Sequence, residues 1–492
     1  MALTTAQYRT MRDLFRGALS VDSANPTDAD VLTFFKRFLV DSAAAGALGS
    51  RQFLADEIAR GILSGNFSNP TDADVISFWT QLAADGAAGA TMGTTAQYIA
   101  MKRSLLGSFS KDSFNPTQAD IYKYFSNYSV PYMGQVATRC GIPDTIIGTA
   151  SPLMQRFATY ARDNITSMKI AWANWVGDEQ DPASIMTITA SVEYPAGVFT
   201  QCLFGGLVTG TAPTKTTIYC DTVTIAGGIP NGALFWVRFF QTGTASYLGS
   251  SVAKPNFALG EAQTFPGTDQ TMGGTVVSNI NGLAVPCSII GLTTKRSVAI
   301  IGDSRQAGAS DNFSTVLGNY GTVAHGIGQS YGYTNLGVSG KTTTSFLAAH
   351  ALRDDLIQYC SDVVNALGVN DVFVSGLTSA ALQTNLGTIR ALYPTKRYIV
   401  TTLDPETTSI DQWVTTYNQT VRAQEAVRVS FNGAVRANAL GYDGYLDCSA
   451  ITELGATGKW KVDGITPLKY TVDGTHHSPF AYALFDGAFT LP

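Results

Sequence analysis

Ser297-Val298-Ala299-Ile300-Ile301-Gly302-Asp303-Ser304-Arg305-Gln306 is the stretch from which the fold of the last two-fifths of the chain can be read. Four apolar residues in a row, 298–301, are too short for a helix of ordinary length. They suit a strand buried on both faces, as parallel strands are. Gly302 then lets the backbone turn, so the side chains after it emerge at the strand's C-terminal end. That end is where open α/β sheets bind ligands. A serine there is exposed beside free amides and is a nucleophile wherever a base can reach it.

Downstream, further apolar runs at 333–338, 362–367, 397–403 and 444–448 alternate with helical patterns at 343–359, 379–392, 411–439 and 478–488. Five such units predict a doubly wound parallel sheet over 293–492. Upstream, the pattern differs. From 167 to 292 short β runs (185–193, 199–207, 216–225, 233–240, 275–280) are separated by Gly, Pro, Thr and Asn, which predicts a β-sandwich of jelly-roll type. Trp172, Trp175, Trp236, Tyr194 and Tyr247 are candidates for a sugar-stacking face there, core packing being the other reading. The stretch 131–166, punctuated by Pro131, Pro143 and Pro152, reads as a connector with a short helix at 153–161.

Residues 1–130 carry an internal repeat. Asn25-Pro26-Thr27-Asp28-Ala29-Asp30 recurs at Asn69 and, as Asn-Pro-Thr-Gln-Ala-Asp, at Asn115, spacings of 44 and 46 residues. In each copy Thr caps a helix and the Asp three residues on faces the positive end of its dipole. Val31, Phe34, Phe35 and Phe38 recur as Val75, Phe78, Trp79 and Leu82, then as Ile121, Tyr124 and Phe125. Each unit therefore reads as a helical hairpin that buries its apolar face by stacking on the next, a module suited to docking or assembly.

The chain's 492 residues call for several domains, and a charged fraction of 14% with net charge −5 and no Lys/Arg cluster excludes a phosphate-tracking nucleic-acid binder. No apolar run approaches the ~20 residues of a membrane-spanning helix. The first residues lack the basic and apolar regions of a secretory signal. Six scattered cysteines without a C-x-x-C pair read as free thiols, with a bridge such as Cys202–Cys220 as the alternative. With four histidines in the chain, no zinc site is expected, nor any cofactor.

Four spaced motifs in 293–492 resemble the SGNH (GDSL-type) hydrolase superfamily: Gly302-Asp303-Ser304; Asn335 to Thr342, containing Gly340; Gly368-Val369-Asn370-Asp371; and Asp473-Gly474-Thr475-His476. The resemblance implies a flavodoxin-like α/β fold, Ser304 as nucleophile, His476 as base and Asp473 as its acidic partner. It also implies an oxyanion hole from the Ser304 and Gly340 amides and the Asn370 side chain. The residue types suit the chemistry: a serine hydroxyl needs a base, and an aspartate three residues from a histidine can orient it locally. Arg305, Lys341 and His477 depart from the usual pattern. Each is a candidate substrate contact, and the two cations read equally as solvated surface residues.

What the resemblance implies is a serine esterase, with a sugar O-acetyl group as the preferred substrate and a lipid or other short acyl ester as the alternative. The whole layout resembles a bacteriophage tail or spike protein carrying a glycan O-deacetylase. On that reading the partners are an acetylated bacterial polysaccharide and other virion proteins bound through the repeats. The assembly would be a homotrimer acting at the host cell surface. A non-catalytic protein that only holds glycan, and a cytoplasmic or signal-independent secreted location, are the competing expectations.

Overall fold

The computed structural model describes residues 131–492 except 148–151, 181–183, 244, 248–254, 280–282, 313–316 and 463–468; the repeats at 1–130 lie outside the described residues. Two antiparallel sheets come first. One runs in the order Tyr132–Gln135, Ser288–Thr293, Ile165–Asn174, Val223–Ile229, with Thr216–Tyr219 also on Ile165–Asn174. The other runs Ala262–Thr264, Leu153–Tyr160, Leu234–Thr242, Met186–Glu193, Phe199–Gln201, with Gly210–Ala212 also on Met186–Glu193. Period-two alternation explains the pairing. Met186, Ile188, Ala190 and Val192 turn inward opposite Phe235, Val237 and Phe239, and meet Met168, Ile170 and Trp172 of the facing sheet.

The stretch 131–166 is therefore no connector. Its expected helix at 153–161 is the strand Leu153–Tyr160, paired along its whole length with Leu234–Thr242. The residues are good helix formers, but cross-strand burial of Leu153 and Phe157 decides the outcome. The β run expected at 275–280 forms no strand among the described residues.

The α/β part is one parallel sheet in the order Gly332–Asn335, Ser297–Gly302, Asp362–Ala366, Arg397–Thr401, Gly444–Leu446. Numbered along the chain this is 2-1-3-4-5, the order in which the topological switch lies beside the first strand. Ala299 and Ile301 face Phe346, Leu382, Ile389 and Phe431 on one side; Val298 and Ile300 face Val323, Ala324 and Ile327 on the other. All five expected strands are present. The helix expected over 411–439 is shorter: Glu425–Arg436 is helical, whereas Thr407–Ser409 and Gln419–Val421 pair as a hairpin. Asp411 accounts for this. Its carboxylate collects Thr415 N, Thr415 Oγ1 and Asn418 Nδ2 at 2.9, 2.6 and 3.0 Å, bonds that compete with a helix ladder.

The two parts share backbone. Cys140–Gly141 pairs in parallel with Gly332–Asn335 and becomes the sixth, edge strand of the α/β sheet. The approach is close enough that a Cβ on Gly332 would lie 2.3 Å from the Gln135 carbonyl oxygen. The strand Ile165–Asn174 is buried on both faces towards its end. Trp172 points into the sandwich, while Ala171, Ala173 and Trp175 join the core of the α/β part.

His325, in the helix Thr322–Ile327, closes the C-terminal end of the chain onto this scaffold. Fully buried, its Nδ1 lies 2.6 Å from Asp486 Oδ1 and its Nε2 3.0 Å from Asp311 Oδ2. Carboxylates only accept, so both nitrogens carry protons. Burial pushes this imidazole down, but the two carboxylates outweigh it and raise the pKa from 6.5 to about 9. A raised histidine stabilises the fold fully below its unfolded value, and the contribution fades as pH rises through the folded one. The shift corresponds to roughly 3 kcal/mol at low pH. The urea midpoint of a His325→Gln variant should accordingly fall furthest below wild type under about pH 6.5, the gap narrowing as pH passes about 9; a gap that ignores pH would show the ring to be neutral.

Candidate active site

The strand Ser297–Gly302 ends in a tight turn in which Gln306 N and Ala307 N both donate to the Asp303 carbonyl, at 3.0 and 2.9 Å. Gly302 is needed for it: a Cβ there would lie 2.1 Å from Gln306 Cγ. Ser304 stands half-buried on this turn, and its hydroxyl lies 2.8 Å from His476 Nε2. Asp303 beside it is buried, with Oδ1 accepting Arg305 N at 3.0 Å. Burial pushes its carboxyl up to about 6, against the opposing charge of Arg305.

His476 comes from a loop that holds its own shape. Thr471 Oγ1 donates to the His476 carbonyl at 2.7 Å and accepts Gly474 N at 2.9 Å. Gly474 has φ +87, and a Cβ on it would lie 1.9 Å from the Thr407 carbonyl oxygen, so no side chain fits. Asp473 Oδ2 meets His476 Nδ1 at 2.7 Å, while Oδ1 accepts the backbone N–H of His476 and Thr475 at 2.7 and 2.9 Å. Partial burial raises the Asp473 carboxyl, but those hydrogen bonds and the imidazole outweigh it and hold the group well below the usual carboxylate range. A carboxylate at Nδ1 requires the proton there. Nε2 is left as acceptor for the Ser304 hydroxyl, the arrangement a general base needs.

Gly340 and Asn370 stand at the same rim. Ile300 pairs with Asn335 and Gly302 with Ala366, so the loops carrying Ser304, Gly340 and Asn370 leave three neighbouring strands side by side. Val338 N donates to the Gly302 carbonyl at 3.1 Å, tying the second loop to the first. Asn370 Nδ2 gives one proton to the Lys341 carbonyl at 3.0 Å and keeps another. Among the described residues, the backbone N–H groups of Ser304 and Gly340 have no acceptor. Unspent donors at the C-terminal rim, beside the Ser304 hydroxyl, suit charge that would develop on a reacting oxygen.

The three residues expected as substrate contacts are buried on protein partners instead. Arg305 is buried. Its Nη1 lies 3.4 Å from Asp404 Oδ2, its Nη2 3.0 Å from Glu406 Oε1, and its Nε donates to the Thr475 carbonyl at 2.8 Å. Lys341 is equally buried, its ammonium on Asp178 Oδ1 and on the Ser345 carbonyl at 3.1 Å. His477 is sealed among Trp460, Tyr482 and Phe485, 3.3 Å from Asp404 Oδ2; burial pushes its imidazole below the usual value against the pull of that carboxylate. Asp404, Glu406 and Asp178 were missed in the sequence. For the first two the available signal was Asp404-Pro405-Glu406 just beyond the fourth strand, at the rim where Arg305 needed partners; nothing local points to Asp178.

Of the aromatic candidates, Trp172 and Trp175 are core. Trp236 is half-buried beneath Arg156, whose guanidinium carbon lies 4.0 Å from the ring centroid. Tyr194 packs against the sandwich core, and the Tyr247 side chain lies outside the described residues. All six cysteines are buried and unbridged. Among the described residues, no three His, Cys, Asp or Glu side chains converge as a metal-ligand set.

No family model matches the chain, and no curated protein does. Similar solved structures include a GDSL-like lipase from Bacteroides thetaiotaomicron, 18% identical, covering 39% of this chain and 84% of that one with TM-score 0.28. A carbohydrate acetylesterase from Sinorhizobium meliloti is 19% identical, covering 39% and 96% with TM-score 0.28. A member of the lipolytic G-D-S-L family from Desulfitobacterium hafniense is 14% identical, covering 39% and 96% with TM-score 0.29.

Arg305 placed between two buried carboxylates makes a testable demand. Replacing it with Met should leave buried Asp404 without its guanidinium and Glu406 with only the longer pair to Arg422 at 3.7 Å, and cost about 3–5 kcal/mol of stability. Chemical denaturation measures this. An unchanged midpoint together with a raised KM for an anionic ester would return Arg305 to the substrate surface.

Proposed function

We propose that residues 293–492 form a serine ester hydrolase that works through an acyl-enzyme. The observation that carries the reading is the relay Ser304 Oγ to His476 Nε2 at 2.8 Å and His476 Nδ1 to Asp473 Oδ2 at 2.7 Å. Ser304 Oγ attacks the acyl carbonyl carbon and its proton passes to His476 Nε2. The carbonyl oxygen becomes an oxyanion facing the Ser304 and Gly340 amides and Asn370 Nδ2. Collapse breaks the ester C–O bond, and the leaving alkoxide takes the proton from His476 as an alcohol. Water then attacks the acyl-serine, His476 accepts its proton and returns it to Ser304 Oγ, and a carboxylic acid leaves.

Within that class we propose removal of O-acetyl groups from a carbohydrate. The His476 and Asp473 side chains are 25% and 49% exposed, so the relay lies open at the surface. A site this shallow reaches an ester carried on the outside of a bulky polymer, where a deep acyl tunnel would exclude it. The setting proposed is a phage tail or spike, attached as a homotrimer through the units at 1–130. The repeat in the sequence supports that part, and those residues lie outside the described ones.

Hydrolysis of p-nitrophenyl acetate by wild type and its loss in Ser304→Ala is the expected result; equal rates would leave a glycan-holding protein. Asp473→Asn should lower kcat about 10²–10⁴-fold by disturbing the tautomer. Acetate should be released from acetylated bacterial polysaccharide, whereas rates that climb from acetyl to octanoyl esters would favour a lipid substrate.

A further inference from the structure

Gly340 is exposed at φ +75, and among the described residues, its chain neighbours aside, no heavy atom lies within 4 Å of where its Cβ would be; the turn around it closes with Lys341 N on the Val338 carbonyl at 3.2 Å. The aim has to come from its neighbours. Both are held by carboxylates of the β-sandwich side: Ser339 Oγ donates to Asp144 Oδ2 at 3.1 Å, and the Lys341 ammonium sits on Asp178 Oδ1. The carbonyl of Lys341 in turn accepts Asn370 Nδ2 at 3.0 Å. One residue thus joins the two outer oxyanion donors to a turn of the sandwich.

That turn is built to hold still. It follows the strand Ile165–Asn174, closes with Gln180 N on the Val176 carbonyl at 2.8 Å, and places Gly177 and Glu179 at φ +50 and +60. Buried Arg353 donates to the Gly177 carbonyl, and Glu179 Oε1 accepts Leu352 N at 2.7 Å. The Lys341 side chain is 1% exposed and that of Asp178 45%. A buried ammonium is costly without its anionic partner, and the carbonyl that holds Asn370 Nδ2 belongs to this same residue.

We infer that Asp178 is a positioning residue for catalysis: through Lys341 it sets the Gly340 N–H and the Asn370 amide where the oxyanion forms, so the sandwich is part of the working esterase. The inference rests on the serine-esterase reading above. Misplacing donors that each contribute about 10²–10³ in rate should show in turnover rather than in substrate affinity.

The full-length chain with p-nitrophenyl acetate tests this. Asp178→Ala should lower kcat about 10- to 100-fold with KM within about twofold of wild type. Inactivation by a fluorophosphonate should slow in parallel, because its P=O needs the same donors. Asp178→Glu, which keeps an anionic partner for the ammonium, should recover most of the rate. Lys341→Met removes the tie without stranding a buried charge, so it serves if Asp178→Ala does not fold; it should show the same kcat loss, and the double variant should fall no further. Unchanged kcat in Asp178→Ala or Lys341→Met, beside an inactive Ser304→Ala, would overturn the positioning role alone. A fully active Ser304→Ala would overturn the esterase reading and this role with it.

Discussion

The buried guanidinium of Arg305 holds the site in register. It is covalently next to Ser304, yet its Nε reaches the carbonyl of Thr475, the residue before His476. A charge this far from water needs partners, and it finds Asp404 and Glu406 at the end of the fourth strand. Glu406 also accepts Thr475 Oγ1 at 2.8 Å, and Trp460 Nε1 donates to the Gly474 carbonyl at 3.0 Å. The Ser304 turn, the strand end and the His476 loop are thereby fastened to one another. Two residues 172 positions apart in sequence meet at hydrogen-bond distance. The same cluster leaves Arg305 no freedom to touch substrate, so its charge is spent on geometry.

A second set of contacts works at the other edge of the site. The parallel sheet would end at Gly332–Asn335, but Cys140–Gly141 extends it, and the sandwich lays Ile165–Asn174 across the α/β core. Tyr219 Oη donates to Asp355 Oδ2 at 2.7 Å, and Asp144 and Asp178 grip the loop around Gly340. The interface is therefore both hydrophobic and polar. Its polar part touches the residues that would face the oxyanion. What began as two sequence patterns is, at the site, one structure.

The parallel strands were legible because burial on both faces writes itself as an uninterrupted apolar run, as at Val298 to Ile301. Motif spacing placed Ser304, Gly340 and Asn370 at strand ends, since the α/β order fixes where such ends collect, and the Asp473 loop before the last helix. Leu153–Tyr160 was illegible as a strand because its residues favour helix and only the distant partners Leu234–Thr242 and Ala262–Thr264 reverse that. The stretch after Thr407 misled for a local reason: Asp411 binds its own following backbone, and Gln412 and Trp413 take positive φ. Arg305 and Lys341 read as exposed charges because their partners, Asp404 and Asp178, lie about a hundred residues or more away. A sequence shows that a cation is present; only the fold shows whether it is paired.

On the reading proposed, Ser304 is made nucleophilic by His476 and Asp473. The most direct test of that reading is covalent capture: treat the protein with diisopropyl fluorophosphate and locate the adduct by peptide mass spectrometry. The account predicts one phosphorylated residue, Ser304, with labelling lost in His476→Ala while the protein stays folded. No adduct, or an adduct that forms on Ser304 equally well without His476, would contradict it.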